Sequence, residues 1–574
     1  MRCVPDGEPP SAEGTLPGRL PGRVLRPQQN QKEKRGVDLD RVLIRGGLVV
    51  DGTGRPGCRA DVTLEEGRIA EIGAKLSGPA RQVIEADGLV VAPGFIDIHS
   101  HSDGSVFAHP LSESKVLQGV TSEVVGNCGI GAFPVTPEQK EELLGYLKIH
   151  EFVFAPAGIT WTDLGEYARA VEALGPGPNI IPLVAHGALR SAAMGFEDRE
   201  PAAAELTRME ELLAQALEQG AWGLSTGLIY PPGSFARTDE LIALARVLAR
   251  YGALYASHIR GESGTLLTAL DEAIAIGAAS GARVEVSHLK ALGRPQWGQG
   301  KECLARLAAA RARGVDVGAD QYPYEASSTS LTALVPQWAH SGGAGELLKR
   351  LAAPELRERL ETEIEREMLV RGGPERVLIA GVGSGENADL SGRTLAQIAQ
   401  GWGLSPAAAV VRLLLEEKAA VGAVYFSMAE DDVEAILADE RVAVGSDGRG
   451  INAEADAGEA THPRSYGTFA RVLGRYVREK GLLSLETAVY KMTGLPAERL
   501  RLTDRGRLRP GLAADVTVFD PAKVADRADF ANPHRYATGI EYVFVNGCPI
   551  VAAGRLTGRA GGRVLRKDLR HARL

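Results

Sequence analysis

Cysteine is scarce in this chain. Its five cysteines (Cys3, Cys58, Cys128, Cys303 and Cys548) are odd in number, scattered through 574 residues, and form no CxxC pair. That excludes a disulfide framework and predicts a reducing, cytoplasmic compartment. Aromatic residues make up only 5% of the chain, and the net charge is -8. With no basic stripe interleaved by aromatic rings, a nucleic-acid partner held by charge is excluded. No apolar run reaches the roughly 18 residues that a bilayer-spanning helix needs, so no membrane partner is expected. Residues 1–38 are poor in apolar side chains and rich in Pro, Gly, Arg and Gln. They lack an apolar h-region and read as a flexible N-terminal tail rather than a secretory signal. Oligomeric state leaves no trace that can be read in the sequence.

Apolar residues are 44% and charged residues 24% of the chain, the balance of an ordinary globular protein. From Arg41 to Ala92 short β-like runs alternate with Gly- and Asp-marked turns, and the same texture returns in Ala514–Asp520 and Ile540–Gly547. Two β-rich ends enclosing a different middle predict one small discontinuous β-sandwich domain, residues 39–92 and 500–574. The middle, residues 93–499, alternates strand-like runs with amphipathic helices such as Ala202–Gln219 and Thr238–Tyr251. Eight runs end near His99, Cys128, His186, Ser225, His258, His288, Asp320 and Asp447. Eight β/α repeats predict an α/β fold, the closed (β/α)8 TIM barrel, with its site at the C-terminal ends of the strands. The gap after the seventh run is too long for one helix. Its helical text reads as an insertion, about residues 329–430, that could cover the barrel mouth.

The strand ends carry unusual chemistry. In Asp97-Ile-His-Ser-His101, strand alternation puts His99 and His101 on one face, where two neutral imidazoles can share a divalent ion. A lone cysteine is usually a buried apolar residue. Cys128, however, ends an apolar run between Gly126 and Gly129, where the backbone can approach closely, and a thiolate suits zinc. His258 and His288 each follow a serine at the end of neighbouring runs. With Cys128 they make three N/S ligands plus room for water, the open site of a catalytic zinc. Asp447, in Val-Gly-Ser-Asp-Gly, reads by itself as a turn residue. Beside a metal it is a natural general base. His186 could assist near the mouth or make a structural hydrogen bond.

These patches, in order Gly94-Phe-Ile-Asp-Ile-His-Ser-His, Gly126-Asn-Cys-Gly, His258-Ile-Arg-Gly-Glu, Ser287-His-Leu-Lys, Tyr322-Pro-Tyr, Gly445-Ser-Asp-Gly and His462-Pro-Arg-Ser-Tyr-Gly-Thr-Phe, resemble the N-acyl-D-amino-acid deacylases of the amidohydrolase superfamily. The resemblance spans roughly residues 40 to 560. It implies zinc-dependent hydrolysis of the amide of a small-molecule N-acyl-D-amino acid. It implies that Cys128, His258 and His288 hold one Zn2+ tightly, and that His99 and His101, with Cys128 and Asp447, form a second, weaker position. Asp447 is then the catalytic acid/base, and Lys290, Tyr322, Arg464 and Tyr230 bind substrate. Many relatives bridge two metals with a carboxylated lysine on the fourth strand. Here that strand, Ala221 to Tyr230, has no lysine, and Cys128 would supply the bridging anion. Glu325, beside Tyr322-Pro-Tyr, is expected to line the pocket. The alternative enzyme is a metal-dependent deaminase of an amino-heterocycle, in which Glu262, four residues after His258, would carry the proton. The non-enzyme alternative is a barrel kept as a scaffold.

Overall fold

The computed structural model describes residues 41–568, apart from 151, 153–157, 383–385 and 457–459. The expected tail, residues 1–38, lies outside the described residues. Eight buried segments build the barrel in chain order: Phe95–Asp97, Val120–Val125, Asn179–Pro182 continued by Val184–Ala185, Gly223–Gly227, Leu254–His258, Arg283–Val286, Val317–Gln321 and Val442–Val444. The third is interrupted at Leu183, and Trp222 N donates to the Pro182 carbonyl at 2.9 Å to carry the pairing on to the fourth. Successive strands pair in parallel. A parallel bridge between Ser100 and Gly448 returns the eighth strand to the first. A parallel ladder needs apolar cover on its outer face. Helices such as Ala203–Glu218, Thr238–Arg250 and Leu266–Ser280 supply it through Leu213, Leu217, Leu244, Leu248 and Leu270, all fully buried. Each contributes roughly 1.5–3 kcal/mol of burial.

The chain ends are knitted into one continuous nine-stranded sheet. Val90–Pro93 pairs in parallel with Val42–Val49 and antiparallel with Val516–Phe519, so an N-terminal strand lies between the two halves. One face buries Val62, Leu64, Val91, Val516, Val518 and Phe544. The other buries Val90, Ala92, Phe519, Val543 and Val551 against Phe95 and Val120 of the barrel. At the junction, a Cβ on Gly94 would meet the Thr121 side chain at 2.2 Å, which is why a glycine precedes the first barrel strand.

Between the seventh and eighth strands the chain makes a separate layer with its own core, including Leu347, Leu360, Ile364, Leu395, Val410 and Val421. Helical text does form helices there, Gly343–Ala352, Arg357–Val370, Leu395–Trp402 and Pro406–Glu416. It also surrounds an antiparallel sheet, Ser327–Ser330, Val421–Tyr425 and Val377–Val382, that the helix periodicity did not announce. These strands are four to six residues long and lie among stronger helical signals, which masked them.

Behind the barrel, Lys491 is fully buried and its ammonium donates to the Asp439 carbonyl. Burial outweighs the nearby charges of Asp439 and Glu440 and pulls its pKa down to about 7. The unfolded chain, with an ordinary lysine, therefore binds more protons above that value, and stability should rise with pH. Between pH 7 and pH 9 the wild type should gain about 2 kcal/mol relative to Lys491→Met. Paired denaturation midpoints across that range check it, and parallel curves would show that the folded lysine stays charged.

Candidate active site

The site stands where seven of the eight strands end. Its loops are held in conformations that ordinary residues avoid. Cys128, His288 and Asp447 have φ of 54°, 36° and 51°, a left-handed backbone that costs a non-glycine residue about 1–3 kcal/mol. Neighbouring groups leave these residues no alternative. Asn127 donates from its side chain to the Val124 carbonyl at 2.9 Å, and Gly129 N donates to Ser225 Oγ at 3.0 Å. A Cβ on Gly227 would meet the Cys128 carbonyl oxygen at 1.9 Å, so the loop is pressed onto the fourth strand. His288 N donates to Asp320 Oδ1 at 2.8 Å, and Asp447 N donates to the His99 carbonyl at 2.8 Å. Beneath Asp447, the fully buried Lys115 donates to Asp97 at 2.7 Å and to the Gly448 carbonyl at 3.2 Å, tying the first strand to the eighth.

These constraints bring the expected ligands together. Cys128 Sγ lies 3.3 Å from His99 Nε2 and 3.3 Å from His288 Nε2. One donor atom each from His99, Cys128, His288 and Asp447 falls within 4.8 Å of every other. His101 Nε2 lies 3.0 Å from Asp447 Oδ1. The His258 ring stands edge-on to His288 at 4.3 Å between centroids. A second group within the same mutual 4.8 Å joins His258, Glu262 and His288. His288 thus belongs to both groups.

The donors fit a zinc ion. His258 is buried with neither ring nitrogen hydrogen-bonded, and His101 Nδ1 is likewise buried without a partner. Buried imidazoles are rarely left so. Imidazole nitrogens, a thiol and a carboxylate are the donor types that zinc takes. Burial pushes the Cys128 thiol up, but the His99 and His288 imidazoles outweigh it and hold it well below the usual thiol range. Asp447 is likewise raised by burial and then held well below the carboxylate range, chiefly by the Arg464 guanidinium.

Two carboxylates that the metal-site reading passed over steer the rings. Asp320 Oδ1 lies 3.1 Å from His99 Nδ1, which leaves the Nε2 lone pair facing Cys128. Glu262 Oε1 lies 3.3 Å from His288 Nδ1 and 3.4 Å from His258 Nε2. Both were visible as strand-end or motif residues. Their function as ring supports depends on the barrel closing.

The expected substrate residues line a cavity of about 90 Å3 over this cluster, together with Phe152, Thr329 and Ser465. Arg464 Nη1 donates to Asp447 Oδ2 at 2.7 Å, and the guanidinium lies 4.9 Å from the Tyr322 ring centre. Lys290 donates to Glu262 and lies 2.9 Å from His288 Nδ1. Tyr230 Oη lies 2.9 Å from Thr329 Oγ1. Burial holds the Tyr230 and Tyr322 phenols neutral, well above their ordinary range. Of the two readings of His186 the structural hydrogen bond holds, and the expectation for Glu325 is corrected. His186 does not line this cavity: its Nε2 lies 2.9 Å from Glu240, which also pairs with Arg190, so it is committed to a buried structural cluster. Glu325 is exposed and outside the cavity lining, because the turn after Tyr324 carries it away from the mouth. Its carboxyl is raised by partial burial and by the neighbouring Glu430.

The model of the amidohydrolase family matches residues 82–551. The chain belongs to the amidohydrolase family. Among curated relatives of this family, the N-acyl-D-glutamate deacylase of Alcaligenes xylosoxydans xylosoxydans is 41% identical over 528 residues, covering 92% of this chain and 96% of the relative. The D-aminoacylase of the same organism is 37% identical over 540 residues, covering 93% and 99%. The crystal structure of N-acyl-D-glutamate deacylase from Bordetella bronchiseptica, complexed with zinc and a phosphonate mimic of the tetrahedral intermediate, superposes with a TM-score of 0.77. It is 39% identical and covers 92% of this chain and all of that one.

Proposed function

We propose that this amidohydrolase removes the acyl group of N-acyl-D-amino acids, giving a carboxylate and the free D-amino acid in a zinc-dependent reaction. The observation that carries the reading is the convergence of His99, Cys128, His288 and Asp447, with all four donors within 4.8 Å of one another. Their arrangement belongs to a chain whose relatives over most of its length are named as deacylases of this kind.

Cys128, His258 and His288 would hold the first ion, and His99, His101, Cys128 and Asp447 a second position. A zinc ion bound here would polarise the acyl carbonyl and bring the pKa of a water down to about 7. The protein's own residues do the rest. Asp447, kept anionic by Arg464, accepts a proton from the attacking water and delivers it to the amide nitrogen as the amine leaves. Lys290, Arg464 and Tyr322 bind the substrate's α-carboxylate, a task for which the guanidinium fork is suited. Tyr230 closes the wall beside His258, 5.0 Å between ring centres. Burial of the cluster excludes bulk water, so each charge acts in a low dielectric. Glu262, on which the deaminase alternative turned, is held by Lys290 and faces two imidazoles. The four cysteines among the described residues are all free, which supports a reducing, cytoplasmic setting.

A panel of N-acetyl-D- and N-acetyl-L-amino acids, assayed after chelation and after adding zinc back, tests the reading. Acetate release should be confined to D-substrates, fall to background on chelation and return with zinc. Ammonia release from amino-heterocycles without amide cleavage would replace this reading with the deaminase.

A further inference from the structure

Beside the 90 Å3 metal-ligand cavity lies a second one of about 420 Å3, and the two share His150, Ile229, Tyr230, Glu262 and Arg371 as a common wall. Its size falls in the range of small-molecule sites. Much of its surface is apolar: Tyr146, Phe196, Leu292, Leu334, Val335 and Leu347 are all at least nine-tenths buried. Three arginines also line it, and carboxylates hold two of them. Arg371 donates to Glu367 at 3.0 Å and stacks 4.8 Å from the Tyr425 ring centre. Arg260 spends its donors on Glu272 and on the Ser234 and Ala236 carbonyls. Arg366 is exposed, so water screens its charge, and the cavity-lining Glu363 pairs with Arg359 at 2.8 Å. His150 and His340 are pulled by burial to about 3 and about 4, so both imidazoles are uncharged near neutrality.

We infer that this cavity receives an uncharged, apolar substituent of the substrate and disfavours an acidic one. The enzyme would then be a deacylase for neutral N-acyl-D-amino acids, despite its likeness to a relative named for D-glutamate. The inference rests on the deacylase reading and deepens it. A carboxylate entering this space loses its hydration and meets two guanidiniums already held by carboxylates and a third that water screens. An alkyl or aryl group finds a preformed apolar wall.

Two substrate pairs on the intact zinc-loaded enzyme locate the substituent. N-acetyl-D-leucine against N-acetyl-D-glutamate reads the amino-acid side chain; N-hexanoyl-D-alanine against N-glutaryl-D-alanine reads the acyl group. In at least one pair kcat/KM should favour the apolar member by about 100-fold, the discrimination a hydrophobic pocket achieves, and that pair names the group in the cavity. Equal rates or an acidic preference in both pairs would overturn the inference while leaving the deacylase reading intact. Absence of turnover with every D-substrate would defeat the deacylase reading and this inference with it. Glu367→Gln releases Arg371, and the discriminating pair should narrow at least 10-fold, with turnover of the apolar member in the same sample reporting the fold. Glu272→Gln, releasing Arg260, serves as the second variant if the first does not fold. An unchanged ratio in a folded variant would show that charge balance does not set the preference.

Discussion

Asp447→Asn should keep its zinc and lose about 10^3-fold in kcat. Positioned proton transfer contributes typically 10^2–10^4-fold, and asparagine cannot carry a proton between the water and the leaving amine. The amide preserves the shape and one acceptor for Arg464, so the loop that begins Asp447-Gly448 should stay in place. The loss should therefore fall on kcat more than on KM, because no substrate-binding residue is removed. Zinc content measured on the same sample separates the two ways of losing activity. A variant near the wild-type rate would remove Asp447 from the proton path. A variant that loses its zinc would make the carboxylate chiefly a ligand.

Cys128→Ala should abolish the tight metal. The thiol lies 3.3 Å from two imidazole nitrogens, and no other soft donor belongs to either donor group. Loss of a residue that merely supports a ligand costs about 10–100-fold in metal affinity, so loss of a ligand should cost at least about 100-fold. The zinc-to-protein ratio after dialysis should fall well below that of wild type, and activity should fall with it. An unchanged ratio would take Cys128 out of the ligand set. Alanine also lacks the negative charge that pulls on His99, whose imidazole is lowered by burial and then held well above its usual range by Asp320 and Cys128.

Much of the fold was legible because its signals are local. Each barrel strand is a short buried run, and the covering helices repeat leucine and alanine at helical spacing. The antiparallel sheet in the insertion was not legible. Ser327–Ser330 is a polar run with no strand pattern, and it becomes a strand only by pairing with Val421–Tyr425 almost a hundred residues later. The same division holds in the site. His99 and His101 announce themselves by spacing, and Cys128 by its flanking glycines. Asp320 was visible only as a strand end and Arg371 not at all, because what they do is set by neighbours reached through barrel closure and through the insertion. The sequence left His186 with two readings, and its neighbours decide for the structural one. It sits at a strand end like the others, but its ring turns to Glu240, 54 residues onward, and away from the mouth.

The sheet woven from both ends of the chain has a consequence for biosynthesis. Val90–Pro93 needs Val516–Phe519 on one flank, and Val516–Phe519 in turn needs Ile540–Val545. A ribosome adding 5–20 residues per second delivers those partners tens of seconds after the first strand has emerged. During that interval the nascent protein carries an open, apolar β edge, the kind of surface that recruits other extended chains. Translation stalled before residue 516 should therefore yield insoluble or chaperone-bound product even though the whole catalytic cluster, complete by Arg464, has already been made.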